Sequence, residues 1–312
     1  MNSINLENTY TSLPQEFFRY TEAETMPDVN LIKINEQLAD LLNIDIGFLK
    51  SQSGLRFLSG KNSKTHPNSI SLAYAGHQFG HLVPQLGDGR AVLLGDKICQ
   101  DGVRRDIQLK GSGKTYFSRG GDGRAGIGPV IREYLISESM HHLGVPTTRS
   151  LAVLLTGEKV VRAEVSPGAM LARVAKSHVR VGTFEFFAIR NQKDHIRKLA
   201  DFMIERSHPD LSDKKEKYEL FFERIVKGQA SLVAQWNSVG FIHGVMNTDN
   251  TSISCETIDY GPCAFMDSYE ANKVFSSIDQ YGRYAFSNQS RVAPWNLSRS
   301  VSYTHLTLPT KA

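Results

Sequence analysis

The sequence predicts an α+β protein of two lobes, a β-rich N-lobe followed by a helical C-lobe. Between about residues 80 and 165, short apolar or alternating runs stand around glycine turns. Ala91-Val92-Leu93-Leu94-Gly95 directly follows Gly87-Asp88-Gly89-Arg90, and Asp106-Ile107-Gln108-Leu109-Lys110 alternates polar and apolar residues as a half-buried strand does. Beyond about residue 185 the pattern becomes helical, over 194–206 and then 215–239. Apolar residues make up 40% of the 312 and charged residues 22%, so both parts can bury a core.

Taken in order, residues 1–70 read as an N-terminal extension with short helices, one of them over 35–42 with Leu38, Leu41 and Leu42 on one face. Lys61-Asn62-Ser63-Lys64-Thr65-His66-Pro67-Asn68 is a polar, turn-rich link. Residues 71–170 form the N-lobe. Within it, 129–143 is expected to be a helix with Ile131, Tyr134, Leu135 and Leu143 near one face. Pro129 suits its first turn, and Gly144 with Pro146 supplies the stop. Runs 151–155 and 159–163 read as a hairpin turning at Thr156-Gly157-Glu158. Residues 171–300 form the C-lobe, including a loop-rich stretch over 243–267. Residues 301–312 lose the preceding amphipathic pattern and read as a non-native tail on a chain truncated at its C-terminus.

Several function classes are excluded at this level. No run approaches the roughly 18 apolar residues of a membrane helix, and the first residues lack the basic and apolar regions of a secretory signal. A cytoplasmic protein without a membrane partner is therefore expected. The net charge of +4 is spread along the chain rather than gathered in a stripe, so no nucleic-acid partner is expected. Cys99, Cys255 and Cys263 form no C-x-x-C pair and argue against both a disulfide framework and a structural zinc site. His77 and His81 have the i, i+4 spacing of helical zinc ligands, but no third ligand is evident and a structural role is expected.

Four features stand in the order that a protein-kinase-like fold requires. The turn Gly87-Asp88-Gly89-Arg90 lets backbone approach phosphates and adds a charge. Lys110 ends a strand about twenty residues later, where a kinase lysine holds nucleotide phosphates, and Glu133 is placed to pair with it from the next helix. His243-Gly244-Val245-Met246-Asn247-Thr248-Asp249-Asn250 parallels H-G-D-x-x-x-x-N, except that Val245 stands where kinases have their catalytic aspartate. Valine cannot accept a proton, and a carboxylate appears instead at Asp249. Asp259-Tyr260-Gly261 matches the metal-binding D-F-G, so Asn250 and Asp259 are the candidate ligands for Mg2+ or Mn2+, hard ions that favour oxygen.

The chain also resembles the SelO (YdiU) family of protein adenylyltransferases. The resemblance rests on Tyr74-Ala75-Gly76-His77-Gln78-Phe79-Gly80, Gln85-Leu86-Gly87-Asp88-Gly89-Arg90, Gln108-Leu109-Lys110-Gly111-Ser112-Gly113 and Ser118-Arg119-Gly120-Gly121-Asp122-Gly123-Arg124-Ala125. It continues through Arg132-Glu133-Tyr134-Leu135, Pro146-Thr147-Thr148-Arg149, Gly244 to Asn250 and Asp259-Tyr260-Gly261-Pro262, covering nearly all residues up to about Arg299. It implies a kinase fold that binds ATP inverted and passes AMP to Ser, Thr or Tyr hydroxyls of protein substrates, releasing pyrophosphate. By motif match it implies nucleotide contacts from Gly87, Gly89, Arg90, Lys110, Asp122, Gly123, Arg173, Arg180 and Asp259, with Asp249 as proton acceptor. Family members continue past Arg299 with a further helical region, and Thr115-Tyr116-Phe117 departs from the family's Thr-Pro-aromatic turn. A true kinase transferring the γ-phosphate is the alternative enzyme, and Val245 speaks against it. An inactive ATP-binding regulator is the alternative from another class, and Lys110, Glu133, Asn250 and Asp259 speak against that.

Overall fold

The computed structural model describes residues 4–61 and 68–301. In chain order the strands are β1 (Phe18–Tyr20), β2 (Asn30–Ile34), β3 (Ile70–Leu72), β4 (Gly76–Gln78), β5 (His81–Val83), β6 (Ala91–Ile98), β7 (Arg104–Lys110), β8 (Ala125–Gly126), β9 (Arg149–Val161), β10 (Val165–Ala175), β11 (Phe241–Ile242) and β12 (Ala264–Phe265). The helices are α1 (Glu36–Leu41), α2 (Ile46–Lys50), α3 (Gln52–Leu58), α4 (Ile127–His142), α5 (Val181–Ala188), α6 (Lys193–Ser207), α7 (Lys217–Ser238) and α8 (Gln289–Val301). They divide into two units. The first comprises residues 4–73 and Leu86–Ser177, the second Tyr74–Gln85 and residues 178–301.

The first unit is built on an antiparallel sheet of strand order β1-β3-β6-β7-β10-β9-β2, with β8 paired to β10. Because strand side chains alternate, Val92 and Leu94 of β6, Ile107 and Leu109 of β7, and Met170, Ala172 and Val174 of β10 share one face. They bury it against Leu38, Phe57 and Leu58 from the short helices α1 and α3. The extension read in residues 1–70 thus supplies two strands and one helical layer. The opposite face carries Val153, Ala169 and Leu171 against Val130 of α4.

Local chemistry explains several of these elements. The Asn35 side chain caps α1 by accepting the Leu38 N–H at 3.1 Å, and its amide donates to Glu138 at 2.6 Å. Asn35→Ala is expected to cost about 0.5–2 kcal/mol, the usual worth of an N-cap, measured as a lowered urea midpoint; an unchanged midpoint would refute the cap's role.

Two expectations are corrected. Residues 151–155 and 159–163 are not two arms of a hairpin. Residues 151–161 lie in the single strand β9, which pairs with β10 from Arg149↔Val174 to Val161↔Val165, and the bend between the two falls at 162–164. Gly157 keeps the strand running with φ +73°, and a register shift between Pro167 and Ala169 absorbs the irregularity. In α4 the buried face is Val130, Glu133, Ser137 and Met140, whereas Ile131, Leu135 and Leu143 are exposed. The polar face wins because its polar groups find partners: Ser137 bonds Ser150 at 2.8 Å and Glu133 meets two cations.

In the second unit α6 buries Ile196, Leu199, Ala200, Met203 and Ile204 at helical spacing, and α7 buries Phe221, Ile225, Leu232, Val233 and Trp236. The hairpin β4–β5 and the pair β11–β12 are separate two-stranded antiparallel sheets. No described helix is long and apolar enough to cross a membrane. Residues 302–312, and with them most of the expected non-native tail, lie outside the described residues.

Candidate active site

The candidate residues form two constellations, one in each unit. In the first unit the turn before β6 is pressed against the loop that follows β7. Gly87 has φ +73°, and a Cβ there would stand 2.3 Å from the Phe117 ring; at Gly89 it would stand 2.8 Å from the Phe117 carbonyl oxygen. The Thr115 hydroxyl donates to Asp88 O at 2.6 Å and the Ser118 hydroxyl to Gly89 O at 2.5 Å. Gly123, at φ +67°, passes so close to Gly113 O that a Cβ would be 2.0 Å away. Only glycine permits this stacking of backbone on backbone. Arg90 is exposed beside the turn, while its carbonyl accepts Gly111 N–H at 2.7 Å.

Behind the turn lies a buried polar chain. Asp88 accepts Leu72 N–H at 3.1 Å and the Gln108 amide at 3.0 Å. Gln108 Oε1 in turn accepts from Arg173 at 2.5 Å, and Arg173 reaches Glu133 at 3.2 Å. Glu133 also takes Lys110 Nζ at 2.5 Å, so one carboxylate serves two cations. Gln108, Lys110 and Arg173 share a sheet face through the register Leu171↔Lys110 and Arg173↔Gln108. Arg173 is 2% exposed, so its guanidinium supports Glu133 from within the unit. Asp122 lies on the exposed loop after Gly121. Arg162 grips it with two bonds of 2.7 and 2.8 Å, and that contact, with Arg124 N–H, draws its carboxyl down to about 2.

In the second unit His243, Val245, Asp249, Asn250 and Asp259 come together. His243 is buried and stacks on Trp236 at 5.4 Å. Its Nε2 meets Ile258 O at 2.8 Å, and Nδ1 accepts Val245 N–H at 3.3 Å. One ring nitrogen donates and the other accepts, and burial pushes the imidazole pKa down, so the ring is a neutral strut between the two loops. Arg180, the residue before α5, bonds both Asp249 O and Asp259 Oδ2 at 2.7 Å and lies 4.6 Å over the Tyr74 ring.

Asp249 is 7% exposed, and burial pushes its carboxyl up to about 6, with Arg180 acting in the opposite sense. Its Oδ2 accepts from Gln78 at 3.2 Å, whereas Oδ1 is buried without a hydrogen-bond partner. Asn250 Nδ2 is tied to Val245 O at 3.0 Å, which leaves Oδ1 as the end of the amide able to meet a cation. Asn250 and Asp259 are oxygen donors of the kind that suits Mg2+ or Mn2+, with one oxygen of Asp259 engaged by Arg180. No group of three or more His, Cys, Asp or Glu side chains placed to hold a metal occurs among the described residues, here or elsewhere. His77 lies on β4 rather than a helix, with Nδ1 2.7 Å from Glu185 Oε1.

Gln78, Gln108 and Glu185, and Tyr284, whose hydroxyl donates to Asn247 Oδ1 at 2.7 Å, enter these networks without having been singled out as site residues in the sequence. Gln78 and Gln108 stand within the quoted motif strings, which marked their segments but not their roles. Glu185 carries one legible signal: a charged residue inside the apolar run Val181–Ala188, where burial demands a partner.

Comparison with known proteins agrees with the motif content. The family model described as protein adenylyltransferase SelO matches residues 1–309. The protein nucleotidyltransferase YdiU of Bradyrhizobium diazoefficiens is 57% identical over 293 residues, covering 94% of this chain and 60% of that protein. That of Nitrobacter hamburgensis is 56% identical over 296 residues, covering 95% and 59%. This chain spans about 60% of the length of the curated relatives it matches. By family match and identity alike, the chain belongs to the SelO protein adenylyltransferase family.

Proposed function

We propose that this chain carries the ATP-handling part of a kinase-like, two-lobed protein adenylyltransferase. It would move AMP from ATP to a Ser, Thr or Tyr hydroxyl of a protein substrate. The reading rests above all on one observation. Where a kinase has its catalytic aspartate this chain has Val245, and the nearby Asp249 holds a buried carboxylate oxygen that has no hydrogen-bond partner among the described residues.

In the proposed step the acceptor oxygen bonds to the α-phosphorus, the bond from that phosphorus to the bridging oxygen breaks, and pyrophosphate leaves. The hydroxyl proton passes to Asp249, whose raised pKa makes it a better base than an exposed carboxylate. The glycine backbone of Gly87, Gly89 and Gly123, with Arg90 and Asp122, would line the nucleotide. Lys110 would meet phosphate oxygens while Glu133 and Arg173 hold it in place, and Arg180 would add charge beside Asp259. Asn250 and Asp259 would hold a divalent cation, which supplies charge neutralisation for the phosphates when bound.

Paired assays with α-labelled and γ-labelled ATP test this reading. Label from the α-phosphate should appear on protein and γ-label should leave as pyrophosphate. Transfer of γ-label to protein would establish a kinase instead.

A further inference from the structure

Three consecutive residues of one segment meet three consecutive residues of the loop that carries Asp249. His77 N–H donates to Thr248 Oγ1 at 2.7 Å, Gln78 Nε2 donates to Asp249 Oδ2 at 3.2 Å, and Phe79 N–H donates to Asn247 Oδ1 at 3.1 Å. Both edges of this contact are fastened. Glu185, fully buried on α5, accepts the Thr248 hydroxyl at 2.5 Å and holds His77 Nδ1 at 2.7 Å. The Tyr284 hydroxyl donates to Asn247 Oδ1 at 2.7 Å and accepts Phe79 N–H at 3.1 Å. Burial lifts the Tyr284 hydroxyl to about 12, so it stays a donor. Phe79 has φ +51° and Gly80 φ +87°, a bend that turns the chain back immediately after these contacts.

The side chain at the centre of this frame is Gln78, and it treats the two oxygens of Asp249 differently. Oδ2 has the Gln78 amide; Oδ1 is buried and has no hydrogen-bond partner among the described residues. Leaving a buried acceptor unmet is costly, and such atoms in a folded protein call for an explanation. A donor that is not part of the chain supplies one. We propose that Gln78 is a positioning residue for the transfer step: by holding Oδ2 it turns Oδ1 of Asp249 toward the acceptor hydroxyl of the protein substrate. This rests on the reading of Asp249 as the proton acceptor. The proton then arrives on Oδ1 as the hydroxyl oxygen bonds to the α-phosphorus and pyrophosphate departs. The backbone clamp explains why a glutamine can do this reliably. Its neighbours are fixed on both sides, so the long side chain starts from a set position.

Gln78→Leu keeps a side chain of similar bulk, one atom shorter, and removes the donor. The expected result is a kcat for AMP transfer lower by about 10- to 100-fold, the scale of a misaligned reacting group, with KM for ATP within about twofold. In an Asp249→Ala background the same substitution should cost nothing further, because residues acting as one unit are not additive. An equal loss in that background, or a loss confined to KM for ATP, would make Gln78 structural and overturn the proposal. Full transfer by Gln78→Leu beside a crippled Asp249→Ala removes the positioning role alone. Full transfer by Asp249→Ala removes the base reading and the positioning role together. A crystal structure of Gln78→Leu decides the point without turnover: the Asp249 carboxylate should rotate away from its present orientation, and an unmoved carboxylate counts against the proposal.

Discussion

Asp249→Ala is expected to lower AMP transfer by about 100- to 10,000-fold, the usual contribution of a general base, while ATP binding stays largely intact. The two effects separate because Asp249 makes none of the contacts assigned to phosphate. Its neighbours hold it through Gln78, and Arg180 takes its backbone carbonyl rather than its carboxylate. Removing the side chain therefore leaves the bond between Arg180 and Asp259 in place. Single-turnover transfer from α-labelled ATP, set beside nucleotide affinity, checks the split. A parallel fall in affinity would move Asp249 from proton acceptor to metal or nucleotide ligand.

Glu133→Ala should have the largest effect on stability. The carboxylate is almost wholly buried and neutralises both Lys110, at 2.5 Å, and Arg173, at 3.2 Å. Alanine would take from both cations the carboxylate they share, and breaking a buried pair costs about 3–5 kcal/mol. Arg173 is the more exposed to this loss in energetic terms because it cannot shed its proton and is 2% accessible. Urea unfolding should show the decrease. Glu133→Gln, which keeps the shape and one acceptor, should recover part of the stability while Lys110 loses the charge of Glu133 and affinity for ATP falls. A Glu133→Ala variant as stable as the parent would mean that solvent reaches this cluster.

The extent to which the sequence foretold the molecule differs from element to element. The strands around Ala91 and Lys110 and the helices α6 and α7 were legible because one strong periodicity ran through each. The orientation of α4 was not. Its apolar residues suggested one buried face, and the structure buries another, because Glu133 and Ser137 find partners on strands more than ten residues away. Nor was the course of β9 legible: Thr156-Gly157-Glu158 has turn composition, but pairing with β10 continues past it. The turn-like residues are absorbed as an irregularity in the strand, and the ladder to β10 resumes at Lys159.

For the site, sequence alone determined the chemical inventory: glycines where backbone meets backbone, Lys110 and Glu133, the valine in place of an aspartate, and the oxygen donors Asn250 and Asp259. Those identities follow from local needs of residue type and spacing. Only the tertiary structure decided which oxygen of Asp249 is held and which is left open, that Glu133 serves two cations, and that residues 77–79 grip residues 247–249. These are contacts between residues about 23 to 171 positions apart, and no local pattern encodes them, because a hydrogen bond depends on where the folded chain brings its partners rather than on how far apart they lie in sequence.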